Sequence, residues 1–525
     1  MNPSIPKYPI GIQSFEKLRT DGYIYVDKTA FIPKLLAGSY YFLSRPRRFG
    51  KSLFLSTLEA YFKGRKELFE GLAIAEVEKE WVEYPVVRID FNTTEGNDIE
   101  SVKNSLRIML MRCAASYAVE IPDYKSMAIA DLFTSLILAL EAKTGRKVVV
   151  LIDEYDKALI EVMHDPGKLG DATDTLRPFF SVLKTADEHI KFAFITGVSR
   201  FRNTTIFSGF NNPNDISMNG DFASVLGITQ QEMEQYFQHG INAIAREYEM
   251  PYADMVQVLR DKYDGYRFTR RKEYVYNPFS VLNALYARQL DDAWVKSGTS
   301  RILKTYLQGS EFTFDQLTSK WMSANALAAT YSKENPTSLF FQTGYLTIRE
   351  FQDDFYKLGI PNQEVQAAIV DLVIPEFVKG TDEYALQDIE TSLRMAIKRG
   401  DVDTMMELLR TMLASVPYHE IDTRVLEKHL HLCMYIVFMM LGVSTKCEIA
   451  QSGGRVDMVA RTPWRIYVFE FKLDCAPEDA LRQIDDKGYA IPWSADGRKL
   501  IKVGVNFSSK TRTIESWAYE NENNK

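Results

Sequence analysis

The chain is 525 residues long, 46% hydrophobic and 25% charged, with a formal charge of −7. That is the composition of an ordinary soluble globular protein of about three domains. It excludes a molecule coated in basic surface for nucleic acid while leaving room for a local basic groove. Four cysteines (Cys113, Cys433, Cys447, Cys475) form no CxxC pair and no close Cys/His cluster, which argues against a disulfide framework or a zinc module. No run reaches the ~18 apolar residues of a membrane span. The start of the chain lacks the charged segment and apolar core of a signal peptide. The expectation is a cytoplasmic protein with no membrane partner.

In chain order, residues 1–30 are rich in proline and aromatics. The apolar run Tyr40–Leu43 then reads as a buried strand, and residues 53–62 have helical spacing. Between them, Gly50-Lys51-Ser52 closes a phosphate-binding loop of the form GxxxxGK[ST], with Arg45 in place of the opening glycine and a donor lost at Pro46. In that geometry backbone N–H groups and a helix N-terminus surround the β- and γ-phosphates of ATP. Lys51 then neutralises phosphate charge, and the Ser52 hydroxyl ligates Mg²⁺. The candidate nucleotide-binding set in this loop is Arg45, Arg47, Arg48, Phe49, Gly50, Lys51, Ser52 and Leu53. The competing reading is a surface turn that happens to spell GKS.

A second strand is expected over 84–91, helices over 99–118 and 128–143, and a strand over 147–152 that delivers Asp153 and Glu154 at its C-terminal end. There Asp153 would hold the Mg²⁺ shell and Glu154 would orient the attacking water. The strand over 191–197 ends in Thr196, a candidate γ-phosphate sensor, with Arg200 or Arg202 beyond it as candidate arginine fingers. Strands alternating with helices predict an α/β, doubly wound parallel sheet of the P-loop NTPase type.

Five strings carry a family resemblance: Tyr25–Thr29, Arg45–Ser52, Leu151–Asp156, Tyr263–Tyr266 and Tyr276–Ser280. Together they resemble the AAA-ATPase-like proteins common in anaerobic bacteria. The arginine-rich loop without its first glycine is the normal form in that family, so the resemblance implies a working ATP site.

From Thr229 to about Tyr286 the pattern is that of a helical lid, and residues 297–348 mix helices with short strands in a winged-helix-like way. Such units contact DNA in some proteins and only pack between domains in others. Residues 361–415 read as a helical linker that transmits motion.

The last hundred residues carry a second chemistry. A helix begins near Glu427, and alternating segments around Glu448, Asp457 and Glu470 read as adjacent strands. Period-two alternation places Glu470 and Lys472 on one face, where a neighbouring strand can bring Asp457 beside them. Asp457 and Glu470 offer hard oxygen ligands to Mg²⁺ or Mn²⁺, and Lys472 can position water or offset developing charge. The competing reading is a solvated, salt-bridged strand face. This order of elements resembles the PD-(D/E)XK nuclease superfamily, and more narrowly the nuclease domain fused to the ATPase family above. The resemblance implies auxiliary roles for Glu427 and His431, a metal-ligand role for Glu448 and a catalytic role for Gln483.

The expected domains are 1–228 (P-loop ATPase), 229–360 (lid and winged-helix-like region), 361–415 (linker) and 416–525 (a C-terminal α/β restriction-endonuclease-like domain). The expected function is an ATP-binding, ATP-hydrolysing protein coupled to a Mg²⁺-dependent nuclease acting on nucleic acid, DNA in preference to RNA, with homo-oligomers allowed. The alternative is a nucleotide-dependent signalling switch or assembly ATPase whose nuclease fold is a binding module.

Overall fold

The structure, a computed structural model, describes residues 6–93, 99–162, 166–200, 213–294, 321–329, 337–369, 383–414, 434, 444–451, 454–462, 464–494 and 496–522. They fall into two compact units, the first running to Asn362 and the second beginning at Gln363. Among them no helix is long and apolar enough to cross a membrane.

The first unit is built on five parallel strands: β1 (Tyr40–Ser44), β2 (Val86–Asp90), β3 (Val148–Asp153), β4 (Ile190–Gly197) and β5 (Asn214–Asp215), in the order β2-β3-β4-β1-β5. All six residues of β3 are buried, as expected of a strand covered on both faces. Helices Lys51–Phe62, Ile99–Ser116 and Ile129–Thr144 lie between the strands in the chain. Register brings the polar strand ends together: Asp90 pairs with Asp153, and Leu43 with Thr196. This is the predicted doubly wound plan, and its C-terminal strand ends are where such sheets bind ligands.

The lid region follows as helices Gln230–Glu247, Tyr252–Tyr263 and Pro278–Ala287. Thr229 and Glu232 close a capping box at the first of these, and Asn277 caps the third through Phe279 N–H and Ser280 N–H. A small antiparallel sheet of β6 (Trp321–Ser323), β7 (Thr347–Gln352) and β8 (Phe355–Gly359) is joined by helices Ala324–Ala328 and Thr337–Thr343. Every residue of Thr337–Thr343 is buried, and Gln342 Oε1 accepts from the Arg200 backbone N–H (2.8 Å). That helix packs on the core of the first unit and leaves no exposed residue to enter a DNA groove.

The second unit is a mixed sheet of β9 (Ser444–Gln451), β10 (Gly454–Arg461), β11 (Arg465–Leu473), β12 (Lys499–Phe507) and β13 (Ile514–Glu522), in the order β13-β12-β11-β10-β9. Only β11 and β12 run parallel. Helix Pro477–Asp486 covers the sheet, packing Leu481 and Ile484 onto Val456, Val468 and Leu500. Gly504 on β12 permits that approach, because a Cβ there would come within 2.2 Å of the Pro477 carbonyl oxygen. The linker reading of 361–415 needs correction. Helices Glu383–Arg399 and Val402–Ala414 pack onto this sheet, with Tyr467 donating its hydroxyl to Ile397 O (2.9 Å) and Trp517 Nε1 donating to Asp403 Oδ1 (2.9 Å). Glu427 and His431 lie outside the described residues, as does Arg202.

Candidate active sites

The phosphate loop leaves β1 and turns into helix Lys51–Phe62 through Gly50, whose φ of 93° falls in the left-handed region that favours glycine. Lys51 Nζ donates to the carbonyls of Arg45 (3.1 Å) and Pro46 (3.3 Å) and lies 3.3 Å from Glu154 Oε1. The lysine is therefore held inside the loop by the groups that define it. Glu154 itself has a φ of 51°, a strained conformation for a residue with a Cβ and one that clusters at functional sites.

Asp153 is fully buried. Thr196 Oγ1 donates to its Oδ1 (2.6 Å), while Oδ2 has no hydrogen-bond partner among the described residues. A buried, unpartnered carboxylate oxygen is costly unless something cationic binds it. The residues thus fit a Mg²⁺ held by Asp153 and Ser52. Asp156 is also buried. It accepts from the backbone N–H groups of Val198 (3.0 Å) and Ser199 (2.5 Å), and burial, then the charge of Glu154, pushes its carboxyl up to about 7. It ties the turn after β3 to the turn after β4. Asp90 stands beside Asp153 in register, its carboxyl raised chiefly by burial and also by Asp153 and Glu154.

A cavity of about 560 Å³ opens over this loop. Arg47, Arg48, Lys51, Ser52 and Glu154 are among its polar lining residues, with Gly50 and Leu53 beside them. Ile10, Ile12, Phe279 and Leu282 line an apolar side, with the Arg48 guanidinium 4.5 Å over the Phe279 ring. The cavity therefore joins a phosphate cradle to a greasy wall, the pairing a purine nucleotide requires.

Three of the residues predicted for nucleotide contact do other work. Arg45 is 1% exposed and points into the core, where it donates to Ser44 O (2.9 Å) and Ser217 O (2.7 Å) and lies 4.5 Å over the Phe268 ring. Burial, and then Arg200, lowers its pKa to about 9. Phe49 is buried edge-on against Tyr266 and Phe268. Thr196 donates its hydroxyl proton to Asp153 Oδ1, so that proton is not offered to a phosphate. The candidate finger Arg200 is likewise locked, to Ser44 Oγ (3.2 Å) and Asp215 Oδ1 (3.2 Å). The sequence reading missed the Ile10–Ile12 wall, Asp90 and Asp156. Asp90 had a signal, since it follows an apolar strand as Asp153 does; the N-terminal wall had none.

In the second unit, β10 and β11 bring Asp457 and Glu470 together as expected. Asp457 Oδ2 accepts from the Phe471 backbone N–H (2.8 Å), which fixes its carboxylate against β11. Glu470 is 1% exposed; its Oε1 accepts from Lys472 Nζ (3.2 Å) and from Gln483 Nε2, and its Oε2 has no partner among the described residues. Burial, then the charge of Asp457, pushes the Glu470 carboxyl up to about 7, and burial also raises Asp457. Lys472 Nζ donates to Gln483 Oε1 (2.6 Å), so one helix side chain holds both the acid and the lysine. Glu448 occupies the backbone position between Cys447 and Ile449, whose β10 partners Met458 and Val456 flank Asp457. Two adjacent acids, one with a buried orphan oxygen, fit a divalent cation held by Asp457 and Glu470. Among the described residues there is no cluster of three or more potential His, Cys, Asp or Glu ligands.

The model for predicted AAA-ATPases matches residues 9–207, and that for the PD-(D/E)XK nuclease superfamily matches residues 425–517. The uncharacterized protein in vnfD 5'region of Azotobacter chroococcum mcd 1 is 33% identical over 528 residues, covering 98% of this chain and 99% of that one. The structure of the Aeropyrum pernix ORC2 protein (ADPNP-ADP complexes) aligns over 69% of this chain and 92% of that one, at 10% identity and a TM-score of 0.26, a likeness too slight to bear on function.

Proposed function

From a chain that belongs to the AAA-ATPase-like family and carries a C-terminal PD-(D/E)XK nuclease superfamily domain, we propose a cytoplasmic two-site enzyme in which ATP binding and hydrolysis control a Mg²⁺-dependent nuclease acting on DNA. The ATPase spans 1–228 and the lid and winged-helix-like region 229–360. The nuclease spans 416–525, buttressed by the helices of 361–415.

At the first site the loop amides and Lys51 take the phosphates, which requires Lys51 to leave the loop carbonyls and Glu154. Ser52 and Asp153 would hold Mg²⁺, which would supply positive charge to offset that of the phosphates. Glu154, released from Lys51, orients the attacking water. Ile10, Ile12, Phe279 and Leu282 receive the base.

At the second site Asp457 and Glu470 would hold the divalent cation, which would supply polarisation of the phosphate and a lowered pKa for water. Lys472, aimed by Gln483, offsets the negative charge that develops on the phosphate. The observation carrying the nuclease reading is the buried, unpartnered Glu470 Oε2 beside Asp457. The test is cleavage of single- and double-stranded DNA and RNA by the whole protein with Mg²⁺, with Mn²⁺ and with chelator, each with and without ATP. Metal-dependent DNA cleavage that is lost in Asp457→Ala supports it. No cleavage under any condition overturns it and favours the nuclease fold as a binding module.

A further inference from the structure

At the end of the nuclease sheet away from Lys472, the turn joining β10 to β11 gathers charge that the chain as a whole lacks. Trp464 sits on this turn with 52% of its surface exposed, and Lys398 Nζ lies 5.6 Å from its ring centroid. Arg465 Nη1 donates to Lys398 O (2.6 Å), which joins the turn to the end of helix Glu383–Arg399. Arg498 Nη1 donates to Thr462 O (2.9 Å), and Lys499 pairs with Arg465 in the sheet register while its backbone N–H donates to Trp464 O (3.2 Å). Arg461 closes β10 at the same turn.

Six cations (Lys398, Arg399, Arg461, Arg465, Arg498, Lys499) thus lie on or beside this turn, Lys398 over the indole, and among the described residues Asp401 and Asp496 are acids near them, the latter paired with Arg498 and facing Arg461. Favourable interaction with the helix dipole accounts for Lys398 and Arg399. It does not account for three more arginines, a lysine and a half-exposed tryptophan with Lys398 over its ring meeting at one turn in a chain of net charge −7.

We propose that this turn is a second nucleic-acid contact, taking an unpaired strand whose base stacks on Trp464 while the cations take the flanking phosphates. The proposal rests on the nuclease reading above. Arg465 and Glu470 stand five positions apart on β11, about 16 Å of strand, with their side chains on opposite faces of the sheet. An indole face attracts unstacked bases of any sequence, whereas paired bases in a duplex have their faces covered. The partner is thus single-stranded and bound without sequence preference.

The experiment measures binding of fluorescein-labelled oligo-dT, and of a hairpin duplex of equal length, to the whole protein in chelator so that nothing is cut. Trp464→Ala should weaken oligo-dT binding roughly 5- to 100-fold. Trp464→Phe should recover most of it, and duplex binding should change far less. Lys398→Ala/Lys499→Ala should reduce the salt slope for oligo-dT by about 1.4, the value for two lost single-strand phosphate contacts. Wild-type oligo-dT affinity and salt slope in these variants would overturn the contact while leaving the nuclease reading intact. A wild-type protein that cuts DNA yet binds oligo-dT no better than a Trp464→Ala protein also overturns it. Absence of both cleavage and binding in the wild type removes both readings together.

Discussion

Lys51 Nζ and Glu154 Oε1 stand 3.3 Å apart, with side chains 3% and 16% exposed, so the cation proposed to bind phosphate and the carboxylate proposed to orient water neutralise one another. Nucleotide binding has to separate them. Lys51→Ala should abolish measurable ATP binding. Glu154→Gln should keep or improve ATP affinity, because the competing charge is gone, while hydrolysis falls roughly 10²- to 10⁴-fold. Binding of a labelled, non-hydrolysable ATP analogue and steady-state phosphate release separate the two effects. Lys51→Ala binding as wild type would remove the phosphate-loop assignment.

Arg45 occupies the position of the missing loop glycine, yet its guanidinium serves the core through Ser44 O, Ser217 O and the Phe268 ring. Arg45→Ala leaves buried carbonyls without a donor and should cost about 2–4 kcal/mol in the stability of the first unit. Arg45→Lys should rescue little, since an ammonium cannot reproduce the fork or the ring contact. Urea denaturation of the nucleotide-free protein measures the loss. A stable Arg45→Ala protein with weakened ATP affinity would return Arg45 to the binding set.

What was legible in the chain follows from range. The grouping of Gly50-Lys51-Ser52 with Asp153-Glu154, and of Asp457 with Glu470 and Lys472, could be read because strand ends and period-two alternation bring those residues together. Where Arg45 points could not be read, since its partners Ser217 and Phe268 lie far along the chain. The same holds for the Ile10–Ile12 wall, which meets Phe279 only after the lid has folded. Helices Glu383–Arg399 and Val402–Ala414 looked like a spacer because the polar residues that dock them, Trp517 and Tyr467, belong to strands read separately.

The Glu470 carboxyl, raised to about 7, predicts a pH dependence. The unfolded chain has the ordinary value of about 4.3. The folded state therefore keeps a proton that the unfolded state gives up. That contribution to stability is fully present below about pH 4.3 and is lost as pH rises through about 7. In chelator, thermal unfolding of the second unit should show this fall between pH 5 and 7, and Glu470→Gln should flatten it. An unchanged slope in Glu470→Gln would assign the titration to another group.

Gly504 lets helix Pro477–Asp486 press onto the sheet, and Gln483 on that helix holds Glu470 and Lys472. Gly504→Ala would drive a methyl toward the Pro477 carbonyl oxygen and should lift the helix, costing about 1–3 kcal/mol. Gln483→Ala should leave the helix in place and release only the two side chains it holds. Both variants should lose metal-dependent cleavage, but only Gly504→Ala should lower the melting temperature of the second unit. Circular dichroism melts run beside the cleavage assay tell them apart. If Gly504→Ala melted as wild type and cut as wild type, close helix-to-sheet packing would not be what positions Gln483.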